Sequence, residues 1–182
     1  MMLKKIARTM AYIGSIITGF YLFTSAPGFH KREKWQHLTG WDYAHRGLYD
    51  NEHGIPENSM AAFRRAVDKG YGIELDVHLT ADNQLVVFHD DTLTRMCGMN
   101  KKISSFLYSD LMQLRLLGTE EGIPLFKDVL ELIDGKVPLI IELKVDGSNQ
   151  NLLCPLVWQL LSRYKGDYCI ESFHPFVLQW FK

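Results

Sequence analysis

The chain predicts an α/β fold built on parallel strands and closed as a TIM (β/α)8 barrel, and three observations carry that prediction. From Trp41 onward short apolar runs alternate with amphipathic segments, the rhythm of strand–helix units in a parallel sheet. His45, Asp76, His89, Glu142 and Lys144 stand toward the carboxyl ends of several different predicted strands, where a barrel gathers its site. The Gly-x-Gly-x-x-Gly turn that an open doubly wound sheet places after its first strand is absent.

Residues 1–40 differ in kind from residues 41–182 and read as a membrane anchor with a juxtamembrane linker. Lys4, Lys5 and Arg8 precede Thr9 to Phe29, a run without Asp, Glu, Lys or Arg. As a helix it reaches about 32 Å, enough for a hydrocarbon core of roughly 30 Å. A cleaved signal peptide is the alternative, since Thr24-Ser25-Ala26 offers small residues. The apolar run is longer than the usual ~7–15 residue core of such peptides, and Pro27 follows directly, so the segment reads as a retained single-pass anchor. Lys31, Arg32 and Lys34 nearly balance the basic residues on the other flank. The position of the segment at the amino end tilts the expectation toward a catalytic domain on the extracytoplasmic side.

The second part begins with a strand at Trp41 to Arg46. A helix follows, capped by Asn58 or Ser59, carrying Ala62, Phe63, Ala66 and Val67 at helical spacing and closed by Gly70. Strands are expected at Gly72–Leu79 and, after the turn Ala81-Asp82-Asn83, at Leu85–His89. Cys97 to Gly122 is an excursion with a helix near Tyr108 to Leu116. The amphipathic stretch Phe126–Ile133 leads through Pro138 to a fourth strand, Leu139–Lys144. A helix at Leu152–Tyr164, a fifth strand at Tyr168–Phe173 and a helical segment at Phe176–Phe181 complete the pattern. About five strand–helix units are countable, against eight in a complete barrel of ~250 residues. The expectation is an incomplete barrel, with two open edges unless other residues complete it.

Within this frame Gly72-Ile73-Glu74-Leu75-Asp76-Val77 is out of character for a buried strand. Alternation sends Ile73, Leu75 and Val77 to one face and Glu74 and Asp76 to the other. Two adjacent carboxylates repel and are costly to bury, so a metal or a basic side chain must offset them. Oxygen ligands favour a divalent hard cation, Mg²⁺ or Ca²⁺. Leu139-Ile140-Ile141-Glu142-Leu143-Lys144 repeats the pattern, adding a carboxylate and a cation.

His45-Arg46-Gly47, Pro56-Glu57-Asn58-Ser59 with Ala62-Phe63, Glu74-x-Asp76, His89-Asp90 and Glu142-x-Lys144 together resemble the glycerophosphodiester phosphodiesterase family in order and spacing. The resemblance implies a barrel fold and metal-dependent hydrolysis of glycerophosphodiesters to glycerol 3-phosphate and an alcohol. It implies Glu74, Asp76 and Glu142 as metal ligands, His45 and His89 as the acid–base pair, and Arg46 and Lys144 beside the phosphate. The nucleophile stays open between water and a glycerol hydroxyl. Related barrel phosphodiesterases acting on lysophospholipids or on phosphatidylinositol are the alternative enzymes, and a membrane-tethered remnant without turnover is the alternative outside catalysis.

Each residue also has a plainer reading. His45 alone would be a core histidine bonded to backbone, and Glu74, Asp76 and Glu142 could form an ion-pair network with Arg46 or Lys144. His78 reads as packing, Asn58 as a cap or a site residue, and Asp90, Asp91 and Arg95 as a capped turn. Cys97, Cys154 and Cys169 have no zinc-site spacing and read as small apolar residues. With 47% apolar and 23% charged residues the chain can bury a core, and a net charge of −1 gathers no nucleic acid.

Overall fold

The computed structural model describes residues 2–25 and 35–182. A long helix, α1 (Met2–Ser25), comes first. It is followed by β1 (Tyr43–His45), α2 (Met60–Lys69), β2 (Gly72–Leu79), β3 (Leu85–Val87), two short helices α3 (Thr94–Cys97) and α4 (Tyr108–Leu111), α5 (Phe126–Ile133), β4 (Leu139–Leu143), α6 (Gln150–Leu161), β5 (Tyr168–Glu171) and α7 (Pro175–Trp180).

The strands join in the order β1-β2-β4-β5, all neighbours parallel, and β3 pairs antiparallel with β2. Spatial order therefore follows chain order, with no reversal of winding. Crossovers of one hand along such a sheet place the helices on one face. Parallel strands wound in this order are part of a barrel wall, as the sequence predicts.

The strand count needs one correction. The third expected strand, Leu85–His89, forms as Leu85–Val87 and is not parallel, because the short turn after Leu79 reverses the chain and a parallel partner would need a long crossover. Thr80 closes that turn, with Gln84 N–H donating to its Oγ at 2.9 Å, and Asn83 takes the left-handed φ of 62°. Among the described residues four parallel strand–helix units are thus present. The helix expected to run from Tyr108 to Leu116 stops at Leu111, and the chain turns again through Leu116–Gly118.

Alternation sorts the strands as expected. Ile73, Leu75, Val77, Leu139, Ile141 and Leu143 pack with Phe63, Phe126, Val129 and Val157 in the main core between sheet and helices. A second core, with Phe88, Leu93, Met96, Ile103 and Leu111, gathers the excursion after β3 into a satellite. At the start of α2 the cap is Ser59, whose Oγ accepts from Ala62 N–H at 3.1 Å, and Gly70 ends the helix in the left-handed region. The three cysteines are free, and burial pushes each thiol up to about 11.

In α1 the stretch Lys4–Phe23 is long and apolar enough to cross a membrane. Phe20 of α1 meets Phe176 of α7, ring centres 6.3 Å apart. Of the small-residue site, Thr24 and Ser25 end α1, while Ala26, Pro27 and the basic residues Lys31, Arg32 and Lys34 lie outside the described residues.

The loop after β1 is held by a close approach at Gly47. Its φ is 79°, and a Cβ there would sit 2.9 Å from Ala62 Cβ and 3.0 Å from the Phe63 ring. Gly47→Ala is expected to destabilise the chain by about 1–3 kcal/mol, because left-handed strain and overpacking add. Thermal unfolding checks this, and Gly98→Ala, with open space around its Cβ, should cost less.

Candidate metal and phosphate site

On the sheet face opposite the main core, register places His45 beside Glu74 and Ile140, and Asp76 beside Glu142 and Glu171. Glu74, Asp76 and Glu142 each bring a carboxylate oxygen within 4.8 Å of the others. Asp76 is fully buried and Glu142 nearly so. Burial first, and repulsion from Asp76 second, push Glu74 up to about 7, while burial raises Glu142 against the pull of Lys144.

Two cations offset part of this charge. Lys144 Nζ donates to Glu142 Oε2 at 2.7 Å and lies 3.0 Å from Asp76 Oδ1. Burial works against its charge, but the two carboxylates outweigh that and hold its pKa above the ordinary lysine value. Arg46, in the left-handed region at φ 59°, donates its backbone N–H to Glu74 Oε2 at 3.0 Å and keeps Nε 3.8 Å from Asp76 Oδ2. Asn58, also at positive φ, is a site residue rather than the cap: its Nδ2 donates to Asp76 Oδ2 at 2.9 Å. A buried cluster of three carboxylates, offset by Lys144 and in part by Arg46 and holding one carboxyl raised toward neutrality, is short of positive charge, and oxygen donors of this kind fit a hard divalent cation.

The histidines stand differently. His45 is largely exposed, with Nε2 3.8 Å from Glu74 Oε2. His89 joins the site through the loop after β3, where Phe88 N–H donates to Asp76 O at 3.0 Å. Asp90 Oδ1 lies 2.7 Å from His89 Nδ1. Burial opposes ionisation of Asp90, but bonds from Arg95 and His89 hold it down at about 2, so it is an acceptor and His89 carries its proton on Nδ1. That bond leaves Nε2 as the ring nitrogen not committed to Asp90.

Three residues that sequence reasoning passed over complete the site. His78, buried, approaches the carbonyl of His89 at 3.2 Å through Nε2. A carbonyl only accepts, so His78 donates, and burial lowers its pKa and keeps it neutral. Glu57, 5% exposed, accepts from Arg46 Nη1 at 2.9 Å and from Arg95 at 2.7 and 2.9 Å; these bonds overcome burial and lower its pKa. Arg95 also grips both oxygens of Asp90 at 2.9 Å. The one sequence signal for this was the presence of Glu57 and Asp90 in the motifs Pro56-Glu57-Asn58-Ser59 and His89-Asp90 that carry the family resemblance, with nothing to show that the two segments meet.

Fold and site together define a barrel-wall α/β protein with a buried carboxylate cluster, flanked by Lys144 and Arg46, toward the carboxyl ends of its strands. Residues 45–164 match the Glycerophosphoryl diester phosphodiesterase family, and the chain belongs to that family. It is 34% identical over 168 residues to the lysophospholipase D GDPD1 of Rattus norvegicus, across 85% of this chain and 51% of the relative. It is 37% identical over 113 residues to a glycerophosphodiester phosphodiesterase of Bacillus altitudinis, 58% of this chain and 45% of that one. Among solved structures, a phosphodiesterase of Oleispira antarctica in complex with the product sn-glycerol-3-phosphate superposes with a TM-score of 0.70 at 26% identity, covering 77% of this chain and 60% of that chain. A glycerophosphodiester phosphodiesterase of Parabacteroides distasonis gives 0.63 at 34% identity, covering 74% and 56%. The chain spans about half the length of the curated relatives it matches.

The charge imbalance predicts a pH signature. A carboxyl raised to about 7 favours the fold most below its ordinary value near 4.5, and that stability is lost as pH rises through 7. Asp90 and Glu57, held low, contribute in the opposite sense, and Asp90's share disappears as pH falls toward 2. Without divalent ions the melting temperature should be highest near pH 4–4.5, fall as pH rises toward about 7 and level off above it. Added Mg²⁺ or Ca²⁺ should restore stability at pH 8 and do little at pH 4.5. A flat profile from pH 4.5 to 7, unresponsive to either ion, would contradict this.

Proposed function

We propose that this chain belongs to an enzyme that hydrolyses glycerophosphodiesters to glycerol 3-phosphate and an alcohol, using a divalent cation, Mg²⁺ or Ca²⁺, held by Glu74, Asp76 and Glu142. The observation that carries the reading is the meeting of these carboxylates within 4.8 Å beside Lys144 and Arg46, on the barrel wall of a phosphodiesterase family. A cation bound there would polarise phosphoryl oxygens and neutralise developing charge.

The side chains supply the rest. Arg46 and Lys144 place positive charge where an anionic phosphodiester must approach. His45, exposed at the strand end, and His89, with Nδ1 committed to Asp90, divide the proton transfers: one accepts the nucleophile's proton and the other protonates the departing alkoxide. Replacing His89 by Ala should lower turnover of glycerophosphocholine about 10²–10⁴-fold while leaving cation binding nearly intact. Glu74→Ala with Asp76→Ala should abolish cation binding. Release of glycerol 3-phosphate, with calorimetry of the same variants, checks both, and near-normal turnover by His89→Ala from pH 5 to 9 would overturn the histidine assignment.

A second reading concerns the substrate. The match to a lysophospholipase D extends over 85% of the chain, and α1 would place residues 41–182 next to a bilayer. Lysophospholipid cleavage is supported by that combination, and a lysophosphatidic acid product in place of glycerol 3-phosphate distinguishes it. With residues 1–40 as anchor and linker, the catalytic part lies on the extracytoplasmic side. The chain is expected to resist carbonate extraction and to keep its amino-terminal residues. A soluble product beginning near Pro27 would refute the anchor.

A further inference from the structure

Arg95 takes no part in the chemistry proposed above, yet the two carboxylates it grips hold two groups that the reaction would use. Its Nε and Nη2 grip Asp90 at 2.9 Å each, and its Nη1 and Nη2 grip Glu57 at 2.9 and 2.7 Å. Beyond Asp90 stands His89 Nδ1 at 2.7 Å, and beyond Glu57 stands Arg46 Nη1 at 2.9 Å. One line of charge-assisted contacts, His89–Asp90–Arg95–Glu57–Arg46, therefore joins the loop after β3 to the loop after β1.

We propose that Arg95 is a positioning residue, one that fixes the tautomer of His89 through Asp90 and ties the His89 segment to the Arg46 segment through Glu57. The proposal rests on the hydrolase reading above for its consequence in turnover, and on geometry alone for its effect on His89.

The plainer account is a surface salt bridge that staples the satellite to the barrel wall, and exposed pairs of that kind contribute little. The surroundings argue against it. Glu57 is almost completely buried, so removing Arg95 leaves it with Arg46 as its remaining charged partner. Both ends of the guanidinium are two-pronged, the geometry in which arginine fixes direction as well as charge. Arg95 also sits on α3, carried by the satellite core, while Glu57 and Arg46 belong to the β1–α2 loop. Without the clamp Asp90 can turn from His89, and a neutral imidazole without a fixed acceptor samples both tautomers. A histidine with its proton on Nε2 cannot accept one there.

The test uses the full chain with ¹⁵N-labelled histidine and the variants Arg95→Ala, Arg95→Lys and Asp90→Asn. Long-range ¹H–¹⁵N spectra of the ring nitrogens report the tautomer, and hydrolysis of glycerophosphocholine with Mg²⁺ reports turnover. The wild-type chain should show His89 protonated on Nδ1. Arg95→Ala should mix the tautomers and lower kcat about 10–100-fold, the usual cost of losing an outer partner of a site residue, with a smaller change in KM. Arg95→Lys, able to engage one carboxylate but not both, should fall between, and it carries the comparison if Arg95→Ala does not fold. Asp90→Asn should mix the tautomers as Arg95→Ala does, and combining Asp90→Asn with Arg95→Ala should be little worse than the worse single variant, as for residues acting as a unit. Retention of the Nδ1–H tautomer in Arg95→Ala overturns the proposal whatever turnover does, and so does a mixed tautomer with wild-type kcat. Absence of turnover in the wild-type chain counts against the hydrolase reading, and the ring spectra then decide the clamp by themselves.

Discussion

Like charges crowded on a buried strand face are the constraint on which the rest of this structure depends. Glu74, Asp76 and Glu142 share one patch of the barrel interior, and Lys144 and Arg46 offset only part of their charge. Ionised carboxylates in such a place are expensive, so a sheet that keeps them must answer to something other than stability. The surrounding residues are arranged around that cost. Asn58 donates to Asp76 from a strained left-handed backbone, Arg46 gives its backbone N–H to Glu74 from another, and Gly47 allows the loop between them to lie against α2. Strained residues gathered at one spot mark a functional site.

The fold provides what this patch requires. Parallel strands in chain order deliver their carboxyl ends to one rim, and the satellite core after β3 brings a second loop, with His89, onto that rim. His78 and Asp90 hold His89 from two directions, one at its backbone carbonyl and one at its ring. Catalytic side chains on loops gain precision from such support.

Much of this was legible in the sequence because alternation along a strand is a strict rule. Glu74-x-Asp76 and Glu142-x-Lys144 each had to share a face, and two parallel neighbours then had to bring the faces together. The cap at Ser59 and the stop at Gly70 were equally local signals. What escaped was non-local or depended on a reversal of direction. Leu85–Val87 carries the same apolar pattern whichever way it runs, so its antiparallel pairing had to come from the shortness of the preceding turn. Glu57 and Arg95 are 38 positions apart, and no periodicity connects them. His78 was passed over because a buried histidine in a strand has an ordinary reading as packing, and its donation to His89 depends on the path of a different loop.

The central claim is that the carboxylate cluster is a cation site whose missing positive charge a divalent ion supplies. It is tested most directly by calorimetric titration of the chain with Mg²⁺ and Ca²⁺ in buffers of different ionisation enthalpy, which counts protons released as the ion binds. Because Glu74 titrates at about 7, one ion per chain should bind with release of a fraction of a proton at pH 7 and almost none at pH 9, and Glu142→Gln should weaken it strongly. Binding that releases no proton at pH 7, or that survives Glu142→Gln unchanged, would contradict the account.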